Sequence, residues 1–207
     1  MKQKINCFCD NSFEIEIPEE INLDSNKEYM EEIQNGSFFS FICPGCGKKH
    51  KPEFPISILW LSKNLRFEVL PELDRGEFYR RKKQPAADIP METIIGYPEM
   101  SDRLAIIRDG YEPVAIEAIK YFLQLKAEEQ YPEDEIAIWY FGTTEDTIEF
   151  HIHGIKANEV AVMKVPLSLY QKTLDDYKEN PKKEIFSVLR VRNYLSVKNT
   201  TRYEALK

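Results

Sequence analysis

Cys43 and Cys46 stand three positions apart in FICPGCGKKH, residues 41–50, with Pro44 and Gly45 between them and Gly47 directly after. A second close pair, Cys7 and Cys9, lies near the start in INCFCDNSFEIEI. Thiols so spaced can form a redox pair, a nucleophile with its helper, or half of a metal site. A tetrahedral structural zinc site takes four thiolate or imidazole ligands at about 2.0–2.3 Å, commonly as two short-spaced pairs carried by strands. The chain has four cysteines and uses all of them in two pairs, so the spacing points to one Zn2+ held by Cys7, Cys9, Cys43 and Cys46. In the second pair Pro44 fixes the turn, Gly45 lets the backbone pass close to the metal, and Gly47 can take the positive φ that ends it. Backbone N–H groups in such a turn point at the sulfurs and favour thiolates.

Two other readings compete. A thioredoxin-like pair belongs at a helix start, whose positive end lowers the first thiol's pKa, but GKKHKPEF cannot continue as a helix past Pro52. Four unrelated core cysteines would not explain the Pro and Gly punctuation. Away from the cysteines, Glu149, His151 and His153 share one face of a strand and could hold a second ion, although a solvated sheet face explains the same alternation. The run Arg80 to Lys83 could touch a phosphate backbone, or simply be a solvated surface. The chain has no nucleophile elbow, phosphate-binding glycine loop or dinucleotide fingerprint.

The elements that must position these residues follow from pattern. FEIEI alternates Phe13, Ile15 and Ile17 with Glu14 and Glu16, the period of a strand with one wet face. Ser25 and Glu28 form a capping box that opens a short helix through KEYMEEIQ, closed by Asn35 and Gly36. SFFSFI reads as a strand delivering Cys43. PISILWLSKNLRFEVLP reads as a hairpin about Lys63 and Asn64, with Trp60 and Phe67 facing a core. KKQPAADIP, with its charge run and two prolines, marks a linker and sets a boundary near residue 90. Beyond it Pro113 starts a helix to about Glu129 with Ile116, Ile119 and Leu123 on one stripe. EIAIWYFG, TIEFHIHG and EVAVMKV make an antiparallel meander, and LSLYQKTLDDYKEN and EIFSVLRVRNYLS are expected as helices.

Composition bounds the rest. At 207 residues, 43% hydrophobic and 30% charged, the chain can bury one large core or two small ones. Its net charge of −7 is spread over both halves, so a polyanion finds no global attraction. No apolar run resembles a signal peptide or a membrane helix. The expected location is therefore cytoplasmic, where four cysteines serve as metal ligands or free thiols rather than disulfides.

INCFCDNSFEIEI, IQNGSFFSFICPGCGKKH, PISILWLSKNLRFEVLPE and MSDRLAIIRDGYEPVAIEAIKYFL together resemble the CpXC domain family over roughly residues 4 to 123. This is a group of uncharacterised prokaryotic proteins named for paired C-P-x-C motifs. Cys43 and Cys46 match the motif fully, and the resemblance implies that they are ligands. The first pair departs from it: CFC has one intervening residue where the family has two, and Asp10 stands where the last cysteine would fall. Asp10 or His50 could then replace Cys9. The resemblance implies a metal-binding domain and nothing catalytic.

The expected fold is α+β: a zinc-ribbon-like antiparallel sheet over residues 1–90, then an α+β domain over 91–207 with an antiparallel meander and flanking helices. The expected function is a non-catalytic, zinc-stabilised interaction module whose partner is another protein rather than nucleic acid or a membrane. One rival is a nucleic-acid-associated zinc ribbon, supported locally by Lys48, Lys49 and Lys51. The other is an enzyme with its site between the two domains.

Overall fold

The alternating apolar and acidic side chains of β2 (Ser12–Glu16) pair with the lysine-bearing β1 (Lys2–Asn6) in a first hairpin, with Ile5 opposite Phe13. The structure is a computed structural model and describes residues 1–81, 91–132 and 135–200. β3 (Glu20–Asn22) leads to α1 (Lys27–Asn35), and a second hairpin, β4 (Phe41–Ile42) and β5 (Lys49–His50), follows. β6 (Ile56–Trp60) and β7 (Leu65–Leu70) form the expected longer hairpin, turned at Asn64 with φ 54°. Trp60 and Phe67 are buried as expected. α2 (Arg75–Arg80), β8 (Glu92–Ile95) and α3 (Tyr97–Arg108) come next. The expected linker at residues 82–90 lies outside the described residues.

The chain divides into two units, Met1–Ser101 and Asp102–Lys207, the division lying within α3. In the first, strands run in the order β3-β6-β7-β8, with β6–β7 antiparallel but β3–β6 and β7–β8 parallel. Parallel pairing requires a crossover. The crossover from β3 to β6 carries α1 and the β4–β5 hairpin, and so delivers the second cysteine pair. A small core beneath the two hairpins joins Ile5, Ile15 and Ile17 to Phe13, Phe39, Phe41 and Phe54.

The second unit begins with the rest of α3 and continues through α4 (Pro113–Gln130) with its proline in the first turn. β9 (Ala137–Thr143), β10 (Thr147–His153) and β11 (Ala161–Pro166) form the expected antiparallel meander in the order β11-β10-β9. Ile116, Ile119 and Leu123 pack onto its inner face against Ile138, Ile148, Phe150, Ile152 and Val165. α5 (Leu167–Glu179), α6 (Glu184–Val188), β12 (Arg190–Val191) and β13 (Tyr194–Leu195) close the described chain. Four buried charges knit this unit. Lys120 Nζ donates to Asp102 and to Glu117 Oε1 at 2.9 Å, and Arg103 donates to the Leu195 carbonyl at 2.7 Å. Glu117 Oε2 accepts the Val197 amide at 2.7 Å, and Asp102 Oδ1 accepts the Tyr140 amide at 2.6 Å.

The fold is α+β, but the sheet of the first unit is not the expected antiparallel one, since β3–β6 and β7–β8 pair in parallel through crossovers; three local expectations also change. α1 is capped by Asn26, with no side-chain cap bond, so the Ser25–Glu28 box does not form; a backbone turn from Asn26 N–H to the Asn22 carbonyl at 3.1 Å takes its place. SFFSFI is extended only at β4. Phe38 and Phe39 stack at 4.1 Å, an arrangement that alternating strand side chains cannot reach, and Phe39 takes φ 47°. EIFSVLRVRNYLS is helical only as far as Val188 and then turns at Arg192, φ 57°, into the β12–β13 hairpin, which buries Leu189 and Leu195 beside Val114 and Phe186.

Candidate metal centre

Each cysteine pair sits in the turn of one short hairpin: Cys7 and Cys9 between β1 and β2, Cys43 and Cys46 between β4 and β5. The two turns share one backbone plan. In the first, the Cys7 amide donates to the Asn11 carbonyl at 2.9 Å, and the Cys7 carbonyl accepts the Asp10 amide at 3.1 Å. In the second, the Cys43 amide donates to the Lys48 carbonyl at 2.9 Å, and the Cys43 carbonyl accepts the Gly47 amide at 2.9 Å. The first turn is one residue shorter and closes at the third following residue rather than the fourth. C-x-C and C-x-x-C thus deliver equivalent thiols.

The positive φ expected of Gly47 is present at 73°, and Asp10 takes 62° at the matching place. Gly45 has a different neighbour from the one expected. A Cβ there would lie 3.0 Å from Asn11 Nδ2 and 3.3 Å from Asn11 Cβ. The missing side chain makes room for Asn11, whose Nδ2 is 3.8 Å from Cys43 Sγ.

The four sulfurs lie within 4.8 Å of one another, close enough to hold a metal ion. Cys7–Cys46 is 3.5 Å and Cys9–Cys43 is 3.7 Å. A tetrahedron with Zn–S bonds of about 2.3 Å has S–S edges of about 3.8 Å, so the spacing fits a single ion at the centre. Cys7 and Cys43 are buried, at 7% and 1% exposure, whereas Cys9 and Cys46 face solvent. Both buried sulfurs have a polar side chain within reach: Asn11 Nδ2 donates toward Cys43, and His50 Nε2 is 3.2 Å from Cys7 Sγ. The His50 ring is held edge-on to Phe13 at 6.1 Å.

Cys43 and Cys46 do not titrate alike. Burial raises Cys43, but the amides of Cys46 and Gly45 and the Cys7 and Cys9 thiols more than offset this and bring its pKa down to about 6. For Cys46 the Lys48 amide acts downward, yet the Cys9 and Cys7 thiols, with burial, outweigh it and push the pKa up to about 12. Four sulfurs packed this closely cannot all carry charge without a cation among them.

The turn holding Cys43 and Cys46 runs into a strand, not a helix, so no helix N-terminus activates Cys43 as thioredoxin-type chemistry requires. On β10, Ile148, Phe150 and Ile152 are buried and the Glu149–His151–His153 face points away from the core, as the alternation implies. There His151 Nε2 is 3.2 Å from Glu149 Oε1, and its ring stacks on Phe141 at 3.9 Å. Among the described residues, the cysteines are the group whose ligand atoms converge.

Two residues beside the site escape sequence reasoning. Asn11 has no motif to announce it, although its place after the turn, facing a glycine, is a usable signal. Phe8, between the first two cysteines, is 87% exposed, with Lys48 Nζ 4.3 Å from its ring centroid.

Three comparisons with known proteins bear on this site. The family model described as CpXC protein matches residues 5–120, more than half of the chain and both cysteine turns, and the chain belongs to that family. An uncharacterized protein of Treponema pallidum (strain Nichols) is 28% identical over 214 residues, covering 95% of this chain and 97% of that protein. No solved structure matches. Among the described residues, no helix is long and apolar enough to cross a membrane.

Proposed function

We propose that this CpXC family member binds one structural Zn2+ through Cys7, Cys9, Cys43 and Cys46, and that the ion locks two β-turns into a non-catalytic, cytoplasmic protein-interaction module. The observation that carries this reading is the convergence of four thiols from two hairpins, all within 4.8 Å of one another. A tetrahedral S4 set suits zinc or an iron–sulfur centre. Zinc is favoured because the set is small and closed, with S–S edges of single-ion size. Four protein ligands leave no open position for substrate, which supports a structural role. The interaction role draws on Phe8, an aromatic side chain held out to solvent on a turn that the ion would make rigid.

Elemental analysis of protein purified without chelator tests the metal directly, with about one zinc per chain expected. Limited proteolysis before and after metal removal tests its role: new cleavage should appear in the first unit while a fragment containing the second persists. Metal-free protein with a Cys43–Cys46 disulfide would overturn the reading in favour of redox chemistry. An unchanged digest after proven metal loss would show that the ion is not structural.

The Phe8–Lys48 pair, with Lys49 and Lys51 nearby in the chain, also favours nucleic-acid contact. The net charge of −7 opposes it. We expect no gel shift with DNA or RNA at physiological salt; a shift that weakens steeply as salt rises would establish the nucleic-acid reading.

A further inference from the structure

The second unit carries a groove of about 1240 Å³ between α4, α5 and α6 that no part of the metal site uses. Its apolar lining is Phe122 of α4, Leu169 of α5, and Ile185 and Phe186 of α6. Phe122 and Leu169 are 48% and 43% exposed, large side chains left in water on neighbouring helices. Its charged lining is acidic on balance, with the four carboxylates of Asp175, Asp176, Glu179 and Glu184 against the two lysines Lys172 and Lys183. One of those lysines is already spent, since Lys183 Nζ pairs with Asp176 at 2.5 Å and holds that carboxyl below its ordinary pKa.

We propose that this groove receives a basic amphipathic helix of a partner protein. Its volume exceeds the roughly 300–1,000 Å³ usual for small-molecule pockets, and an apolar trough between helices is the shape that takes a helix by its apolar face. The charge of the lining selects the flank. Three of the four carboxylates lie in the last turns of α5, where the helix's own terminal carbonyls add negative potential. Lysine or arginine beside the apolar stripe of the incoming helix meets these carboxylates. A second copy of the chain would bring an acidic lining to an acidic lining in a protein of net charge −7, and an anionic lipid surface would be repelled in the same way.

The probe is a fluorescein-labelled helical peptide of leucine and lysine with its leucines on one face, compared with a scramble of the same composition. Both are titrated into the full chain at physiological salt. The helical peptide should bind about tenfold or more tightly than the scramble. Leu169→Glu should weaken it about tenfold, and Asp175→Lys with Glu179→Lys should weaken it and flatten its salt dependence. These side chains are exposed, so the variants should keep the wild-type circular dichroism. Should Leu169→Glu alter it, amide NMR shifts of the wild-type chain on adding peptide locate the site, and must cluster on α5 and α6. Equal binding of both peptides, indifference to the groove variants, or shifts clustered elsewhere would overturn the proposal. So would a dimer in sedimentation that Leu169→Glu disperses, or adsorption to phosphatidylserine vesicles that the same variant abolishes.

Discussion

Asp10 and Gly47 occupy the same place in the two cysteine turns: each follows the second cysteine, each has positive φ, at 62° and 73°, and each donates its amide to the carbonyl of the first. Asp10 is therefore the turn-closing residue of a turn one residue shorter, and its carboxylate is not needed as a ligand. Asp and Asn are tolerated in this conformation, glycine more so. Asp10→Gly should keep the full metal content in elemental analysis and the wild-type thermal midpoint, whereas β-branched Asp10→Val should destabilise by about 1–2 kcal/mol. A loss of metal in the glycine variant would make the carboxylate a ligand after all.

His50 reaches Cys7 Sγ while its ring rests on Phe13. If Cys7 is a ligand and His50 supports it through this contact, His50 should tune affinity without changing stoichiometry. His50→Ala is expected to weaken zinc retention about 10–100-fold in a competition with a chromophoric chelator, with one ion per chain still bound at saturation. Loss of the ion even at saturating zinc would place His50 in the ligand set.

The Tyr97 hydroxyl donates to the Phe54 carbonyl and accepts the Phe54 amide, each at 3.0 Å. Burial pushes its pKa up to about 12; the Phe54 hydrogen bond acts downward and the Glu53 carboxylate upward. The fold thus prefers the neutral phenol. Its contribution is complete below the ordinary tyrosine value of 10.0 and is lost as pH rises from there through about 12. Tyr97→Phe leaves both Phe54 groups unpaired and should cost about 1–3 kcal/mol at neutral pH. In denaturant titrations that gap should narrow across the alkaline window, and a constant gap would refute the linkage.

Lys120 holds Asp102 and Glu117 together in the interior of the second unit. Removing one partner from a buried ion network strands the others. Lys120→Met should therefore destabilise by about 3–5 kcal/mol in thermal or chemical denaturation, despite the good fit of methionine to a core. A loss below about 1 kcal/mol, the size of a surface pair, would show that water reaches the network.

These relationships differ in how far the sequence reveals them. The β6–β7 hairpin and β10 are legible because each alternates more and less buried side chains, leaving a period of two, and α4 is legible from Pro113 at its start and the stripe of Ile116, Ile119 and Leu123, although residues 114–120 are buried all round. α3 is not legible, because its buried face includes Asp102 and Arg103 beside Leu104 and Ile106, so charge and exposure part company and the stripe vanishes. β8 fails for the opposite reason: Thr93, Ile94 and Ile95 are all buried and show no alternation. At the site, cysteine spacing alone indicates that two pairs meet. That C-x-C and C-x-x-C close on one backbone plan in turns of different length, with Asp10 standing for Gly47, needs the backbone hydrogen bonds, which no residue pattern records.

Cys9 and Cys43, now 3.7 Å apart, are separated by 34 positions in the chain. During translation at about 5–20 residues per second, the first turn emerges roughly 2–7 s before the second exists to meet it. Throughout that interval two thiols stand open on the nascent chain, before α1 has been followed by the hairpin that completes the cluster. The order of synthesis therefore creates a window in which Cys7 and Cys9 are available to oxidants, to stray metals or to a chaperone, and it closes only when the β3-to-β6 crossover folds back.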